Sequence, residues 1–154
     1  ERFHGLVLAN TGAHMPPREM WAERIDMARA GNLALMVETV LGRWFTADFL
    51  ETNPDAVEHI RRQYLASSSE GYAACCEAIR DLDQREMIKT IDRPVLVIGG
   101  SEDPATTPAH CRLVADSIPG AAYVELAGAA HLSNIERAEA FNEALDGFLR
   151  SSRR

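Results

Sequence analysis

Two kinds of apolar pattern divide this chain. Residues 6–9, 95–99 and 121–126 form short runs that read as strands. The continuous, β-branched run at 95–99 in particular suits a sheet covered on both faces. Turn chemistry punctuates them, with Asn10-Thr11-Gly12 after the first, Gly99-Gly100 at the end of the second and Pro119-Gly120 before the third. The other segments have helical period. After His14-Met15-Pro16-Pro17, whose prolines suit a helix entry, Met20, Trp21, Ile25 and Ala28 recur at three- and four-residue intervals. Gly31-Asn32 interrupts, and Leu33, Met36, Val37, Val40, Leu41 and Trp44 make a second, stronger face.

Residues 46–50 read as a short aromatic-bearing connection, and Thr52-Asn53-Pro54 starts a helix over 54–65 with Val57, Ile60 and Tyr64 inward. Ser67 to Glu70 caps a helix over 71–80, and the charged stretch 81–92 holds one more short helix around 84–89. Pro108 opens a helix through Ser117. The last helix spans 136–149, with Ala140, Phe141, Leu145 and Phe148 on one side, and residues 151–154 are expected to fray. The order is β, a block of helices, then β-α-β-α. A block of about seventy residues far exceeds an ordinary crossover and reads as a lid inserted over the carboxyl ends of the strands. The first strand needs neighbours that no earlier residue supplies, so the chain is expected to begin midway through a domain.

A chain of 154 residues, 46% apolar and 25% charged, has the composition of an ordinary globular domain with a sizeable core. Its net charge of −7 argues against nucleic acid or an anionic membrane as partner. Its apolar runs fall far short of the ~20 residues that span a bilayer, and the opening Glu1-Arg2 reads as no secretory leader. Cysteines 75, 76 and 111, an odd number with two adjacent, make no disulfide framework and point to a reducing, cytoplasmic setting. Cys75 and Cys76 are expected to be packing residues of a helix.

The chemistry gathers after the second and third strands. Asp103 follows one in G-G-S-E-D-P, and His131 follows the other in A-A-H-L. Side chains just past two such strands can meet at one sheet edge, where a carboxylate fixes the imidazole tautomer and stabilises its protonated form. That is an acid–base pair in the order of a Ser-His-Asp device, but no G-x-S-x-G elbow precedes it. Ser101 lacks the glycine two residues on, where Asp103 stands instead, and Ser133 has no elbow either. Asp103 also reads as a turn residue before Pro104, with Glu102 as a solvated neighbour. His4, His14, His59 and His110 show no metal-like pairing, and Arg61-Arg62 reads as a solvated helix face.

Several stretches carry a closer likeness. L-V-L-A-N-T, R-W-F-T, E-G-Y-A-A-C-C-E-A-I-R-D, G-S-E-D-P-A-T-T-P and A-H-L-S-N-I-E resemble the C-terminal half of the 3-oxoadipate enol-lactonases, members of the α/β-hydrolase superfamily that serve the β-ketoadipate pathway of aromatic catabolism. The resemblance implies an α/β fold, the C-terminal part of an α/β-hydrolase parallel sheet with an inserted all-helical cap. Residues 1–15 would be a core strand and its exit loop, 16–88 the cap, and 89–154 the C-terminal part of the core. Asp103 would be the triad acid and His131 the general base. Trp44 would face the pocket, or else fill the interior of the cap. The implied reaction opens an enol-lactone ring through an acyl-enzyme, with no metal or organic cofactor. Its partners would be a small-molecule lactone and the serine-bearing N-terminal half, as a separate chain or a missing segment. Another lactone, an ester or a C–C bond beside a carbonyl remains an alternative substrate, and a non-catalytic fragment of this fold an alternative to any enzyme.

Overall fold

The computed structural model describes residues 3–151, so of the segment expected to fray only Ser151 lies within it. In chain order the elements are β1 (Leu6–Ala9), α1 (Arg18–Arg29), α2 (Leu33–Trp44), α3 (Ala47–Thr52), α4 (Pro54–Leu65), α5 (Ser69–Asp81), a 3-10 turn (Met87–Thr90), β2 (Val95–Gly100), α6 (Pro108–Ser117), β3 (Ala122–Leu126), α7 (Ser133–Glu136) and α8 (Ala138–Ser151). They group into two units. One takes in the chain up to Ala13, Arg43–Thr46, and the chain from Gln84 onward; the other is His14–Gly42 with Ala47–Asp83.

The first unit holds a three-stranded parallel sheet in the order β1-β2-β3. Leu6 pairs with Val95 and Ala9 with Ile98, while Leu96 pairs with Ala122 and Gly100 with Leu126. Alternate side chains of β2 point to opposite faces. Val95 and Val97 meet Cys111, Val114 and Ala115 of α6, with Ile88 and Ile118. Leu96 and Ile98 pack with Leu126 and Ala129, against which Phe141, Ala144 and Phe148 of α8 lie. Every residue of β2 is buried, which is why its run shows no polar alternation. Parallel strands deliver their carboxyl ends to one edge, so Asn10, Asp103 and His131 all follow strands that end there. Among the described residues β1 pairs with β2 alone, leaving its other side as a sheet edge.

The second unit is all helical. Trp21, Ile25 and Ala28 are buried on α1, and Ala73 and Cys76 on α5. The Trp21 indole N–H donates to the Met15 carbonyl at 2.7 Å, satisfying the one polar atom of a buried ring. Ser68 caps α5 by accepting the Gly71 N–H at 3.2 Å. His14 and Asp83 form an antiparallel bridge that brings together the ends at which the chain enters and leaves. No helix among the described residues is long and apolar enough to cross a membrane.

Four local expectations are corrected. Residues 47–52 are a helix rather than a connection, too short for periodicity to reveal, with Phe49 as its buried residue. The short helix expected at 84–89 is a 3-10 turn at Met87–Thr90, anchored by buried Ile88. The last helix is broken at Arg137, whose backbone is not helical, and Ala140 is exposed. Ser133 and Glu136 are instead drawn inward by hydrogen bonds, so α7 serves the strand edge and α8 the core. Cys76 is buried but Cys75 is exposed, because neighbours on a helix point about 100° apart and only one can face inward.

Candidate active site

β2 ends at Gly100, and the chain turns so that the Asp103 carboxylate folds back over its own loop. One oxygen accepts the Ala105 and Thr106 N–H groups at 2.7 and 2.8 Å. The other accepts the Thr106 hydroxyl at 2.7 Å, the Asn10 amide at 3.1 Å and the His131 Nδ1–H at 2.9 Å. The turn role of Asp103 and its pairing with His131 are therefore compatible, one oxygen serving each. Burial alone would push this carboxyl up. The hydrogen bonds from His131 and Thr106 outweigh it and hold the group at about 2, below its ordinary 3.8.

His131 sits on a loop fastened from several sides. The Glu102 N–H donates to the Ala129 carbonyl at 2.9 Å, and the Gly128 N–H to Ser101 Oγ at 2.9 Å. Gly128 takes a φ of +65°, which glycine adopts at little cost. Gly100 permits the closest approach: a Cβ there would lie 2.3 Å from the Ala129 carbonyl oxygen and 2.4 Å from that of Ala130. Ala130 is held on both sides, its N–H by Glu136 at 2.6 Å and its carbonyl by Asn10 at 3.2 Å. With Nδ1–H directed at Asp103, the neutral ring carries its free electron pair on Nε2, which has no hydrogen bond among the described residues. The side chain is 24% exposed, within reach of solvent or a substrate. Such a pair can take a proton at Nε2 and stabilise the resulting imidazolium.

Neither serine near the pair is presented to the ring. Ser101 Oγ is engaged by Gly128, and Ser133, fully buried, donates to Asn10 Oδ1 at 2.5 Å. Trp44, at the end of α2, is half-buried and belongs to the unit that holds the sheet; its carbonyl accepts the Leu132 N–H at 2.9 Å, one residue past His131. His110 helps cap α6, its Nδ1 accepting the Thr107 N–H at 3.2 Å, while His4 and His59 are exposed. No cluster of histidine, cysteine and acidic side chains that would hold a metal occurs among the described residues.

Asn10, Thr106, Ser133 and Glu136 complete the surroundings of the pair; the sequence marks none of them as a partner of it, and Ser133 enters there only as a nucleophile without an elbow. Asn10 offered a faint signal, an asparagine closing a strand where the backbone takes a φ of +46°, which asparagine tolerates better than most. Ser133 and Glu136 stand in the A-H-L-S-N-I-E stretch, but nothing in their spacing says that they turn inward.

A parallel sheet with Asp and His in this order past its last two strands, and an all-helical insertion after its first, is the C-terminal part of an α/β-hydrolase. Residues 56–154 match the family model described as TAP-like protein, and the chain belongs to that family of α/β-hydrolases. It is 37% identical over 150 residues to 3-oxoadipate enol-lactonase 2 of Acinetobacter baylyi, covering 97% of this chain and 56% of that protein. The crystal structure of the enol-lactonase from Burkholderia xenovorans LB400 superposes with a TM-score of 0.93 at 43% identity, over 97% of this chain and 57% of that one. A thermophilic esterase from Thermogutta terrifontis gives a TM-score of 0.90 at 25% identity, over 98% and 57%. The chain thus spans about half the length of the curated relatives it matches.

Proposed function

We propose that this chain is the acid–base half of an enol-lactone hydrolase, which opens 3-oxoadipate enol-lactone to 3-oxoadipate in the β-ketoadipate pathway. In this reading His131 Nε2 takes the proton of a serine supplied by the N-terminal half, whose Oγ attacks the lactone carbonyl. Asp103 keeps the imidazole in the right tautomer and stabilises its charge. The ring C–O bond breaks, the enolate oxygen takes the proton back from His131 to leave an enol that tautomerises to the ketone, and the product remains as an acyl-enzyme. Water, activated by His131, then cleaves the acyl–serine ester. Backbone N–H donors for the tetrahedral oxyanion also come from the N-terminal half. Side chains, backbone amides and water handle every proton and charge, so the reading includes no metal or organic cofactor.

The observation that carries this proposal is the 2.9 Å contact from His131 Nδ1 to a buried Asp103 carboxylate that other donors already hold. The similarity to two enol-lactonases favours the substrate. The helical unit would be the cap, residues 1–15 and 89–154 the core, and Trp44 part of the wall that meets the lactone. The N-terminal half would add its last strand along the open side of β1. Three cysteines with no disulfide among them fit the reducing cytoplasm.

The likeness to an esterase sustains a second reading, in which the same pair hydrolyses another ester or lactone. A panel of enol-lactone, saturated lactones and simple esters, run on the complete enzyme, separates the two. Highest kcat/KM for the enol-lactone, abolished by His131→Ala, is the expected result. Turnover unaffected by His131→Ala would sink both readings.

A further inference from the structure

Glu136 ends α7 and is 6% exposed. One of its oxygens accepts the Ala130 N–H at 2.6 Å. The other accepts the Thr46 N–H at 3.0 Å and also the Thr46 hydroxyl. A carboxylate removed from water is costly unless its lone pairs are filled. Here neutral donors fill them, and no cation among the described residues pairs with it.

The identity of those donors points beyond simple stability. Ala130 immediately precedes His131. Leu132, which immediately follows it, donates its N–H to the carbonyl of Trp44. Thr46 lies two residues past Trp44, in the segment Arg43–Thr46 that joins the sheet-bearing unit between two stretches of the helical one. His131 is therefore held by a backbone tie on each side. Glu136 makes the first tie with one oxygen and, with the other, grips the segment that makes the second.

We infer that Glu136 is a positioning residue that fixes His131 and the Trp44-bearing segment as one piece, so that the base and the wall facing the substrate keep a set spacing. This rests on the hydrolase reading above. A shift of about 1 Å in a catalytic group can cost about 10²-fold in rate, which gives the inference a measurable size.

The test uses the complete hydrolase with 3-oxoadipate enol-lactone, and reads kcat, KM and the pH titration of the His131 ring by NMR of labelled histidine. Glu136→Gln keeps the shape but presents an N–H₂ where one set of donors needs an acceptor. It is expected to lower kcat about 10²-fold and to move the His131 titration. Thr46→Val removes only the hydroxyl arm, and is expected to raise KM while kcat stays within about threefold and the titration stays in place. That split would not arise if Glu136 only stabilised the fold, since both variants would then lower the melting temperature alone. Wild-type kcat, KM and titration in a folded Glu136→Gln enzyme would overturn the inference. So would a Thr46→Val enzyme with unaltered KM, which decides the matter if Glu136→Gln does not fold. His131→Ala in the same enzyme keeps the two levels apart: if it abolishes turnover, the hydrolase reading survives a failure at Glu136.

Discussion

Asn10 and Ser133 are separated by 123 positions in the chain and joined by a hydrogen bond of 2.5 Å, donated by the serine hydroxyl to the asparagine carbonyl oxygen. The same amide turns its N–H₂ toward Asp103 and the Ala130 carbonyl. One side chain at the end of β1 thus ties together the acid, the loop of the base and the turn of α7.

Replacing Asn10 should therefore destabilise the fold well beyond its size. Asn10→Gly keeps the positive φ but leaves a buried serine hydroxyl without its acceptor, at a cost of about 1–3 kcal/mol. Asn10→Ala adds roughly 1 kcal/mol more for the left-handed backbone. Urea unfolding of both variants, and of Asn10→Gly combined with Ser133→Ala, measures this. The double variant should lose less than the sum of the singles, because the orphaned hydroxyl is gone. Strict additivity would mean that the two residues are not coupled.

Asp103 gives a pH dependence whose sign follows from its titration. Its carboxyl stands at about 2 when folded against 3.8 when unfolded, so the unfolded chain binds the proton more readily. The contribution is fully present above the unfolded value and disappears as pH falls through the folded one. It should amount to about 2 kcal/mol, lost between about pH 4 and about pH 2. Asp103→Asn should flatten that part of the stability curve. Equal slopes for the two proteins would show that the carboxylate is not held as described.

Glycines of opposite surroundings make a paired test. Gly100→Ala would drive a methyl group against the backbone oxygens of Ala129 and Ala130, forcing the His131 loop outward. We expect a loss of about 1–3 kcal/mol in stability and of about 10²-fold in kcat/KM of the complete enzyme. Gly147 lies inside α8, and a methyl group added there would meet nothing within 4 Å, so Gly147→Ala should stabilise by about 0.5–1 kcal/mol. Thermal melts of both variants, with assays of the first, would expose an error in either direction.

Much of the fold was legible because its elements are long or wholly apolar. The β2 run, the two strong helical faces of α1 and α2, and the prolines that open α4 and α6 each carry their own signal. Periodicity cannot see a six-residue helix with a single buried side chain, which is why α3 read as a connection. The split between α7 and α8 escaped for another reason. Ser133 and Glu136 are polar residues turned inward, and only partners distant in sequence, Asn10 and Thr46, make that placement favourable. The meeting of Asp103 and His131 could be foreseen since strand order alone brings their loops to one edge. The hydrogen bonds from Asn10 and Thr106 to the acid depend on backbone turns that no spacing rule encodes.

The proposed mechanism has a direct consequence for the chain by itself. His131 needs a hydroxyl to deprotonate, and the nearby serines are committed to Gly128 and Asn10. A tetrahedral oxyanion also needs aimed N–H donors, and losing one can cost about 2.7–4 kcal/mol. Alone, residues 1–154 should hydrolyse neither an enol-lactone nor an activated ester above background. Adding the N-terminal half, as a separate polypeptide or in one continuous chain, should restore turnover. His131→Ala in the restored enzyme should then lower kcat by roughly 10⁴–10⁶-fold, since triad members act as a unit. Stopped assays on the chain alone, the restored enzyme and its His131→Ala variant distinguish the outcomes. Robust hydrolysis by the pure isolated chain would mean that its own residues supply a nucleophile, and the division of labour between the two halves would have to be abandoned.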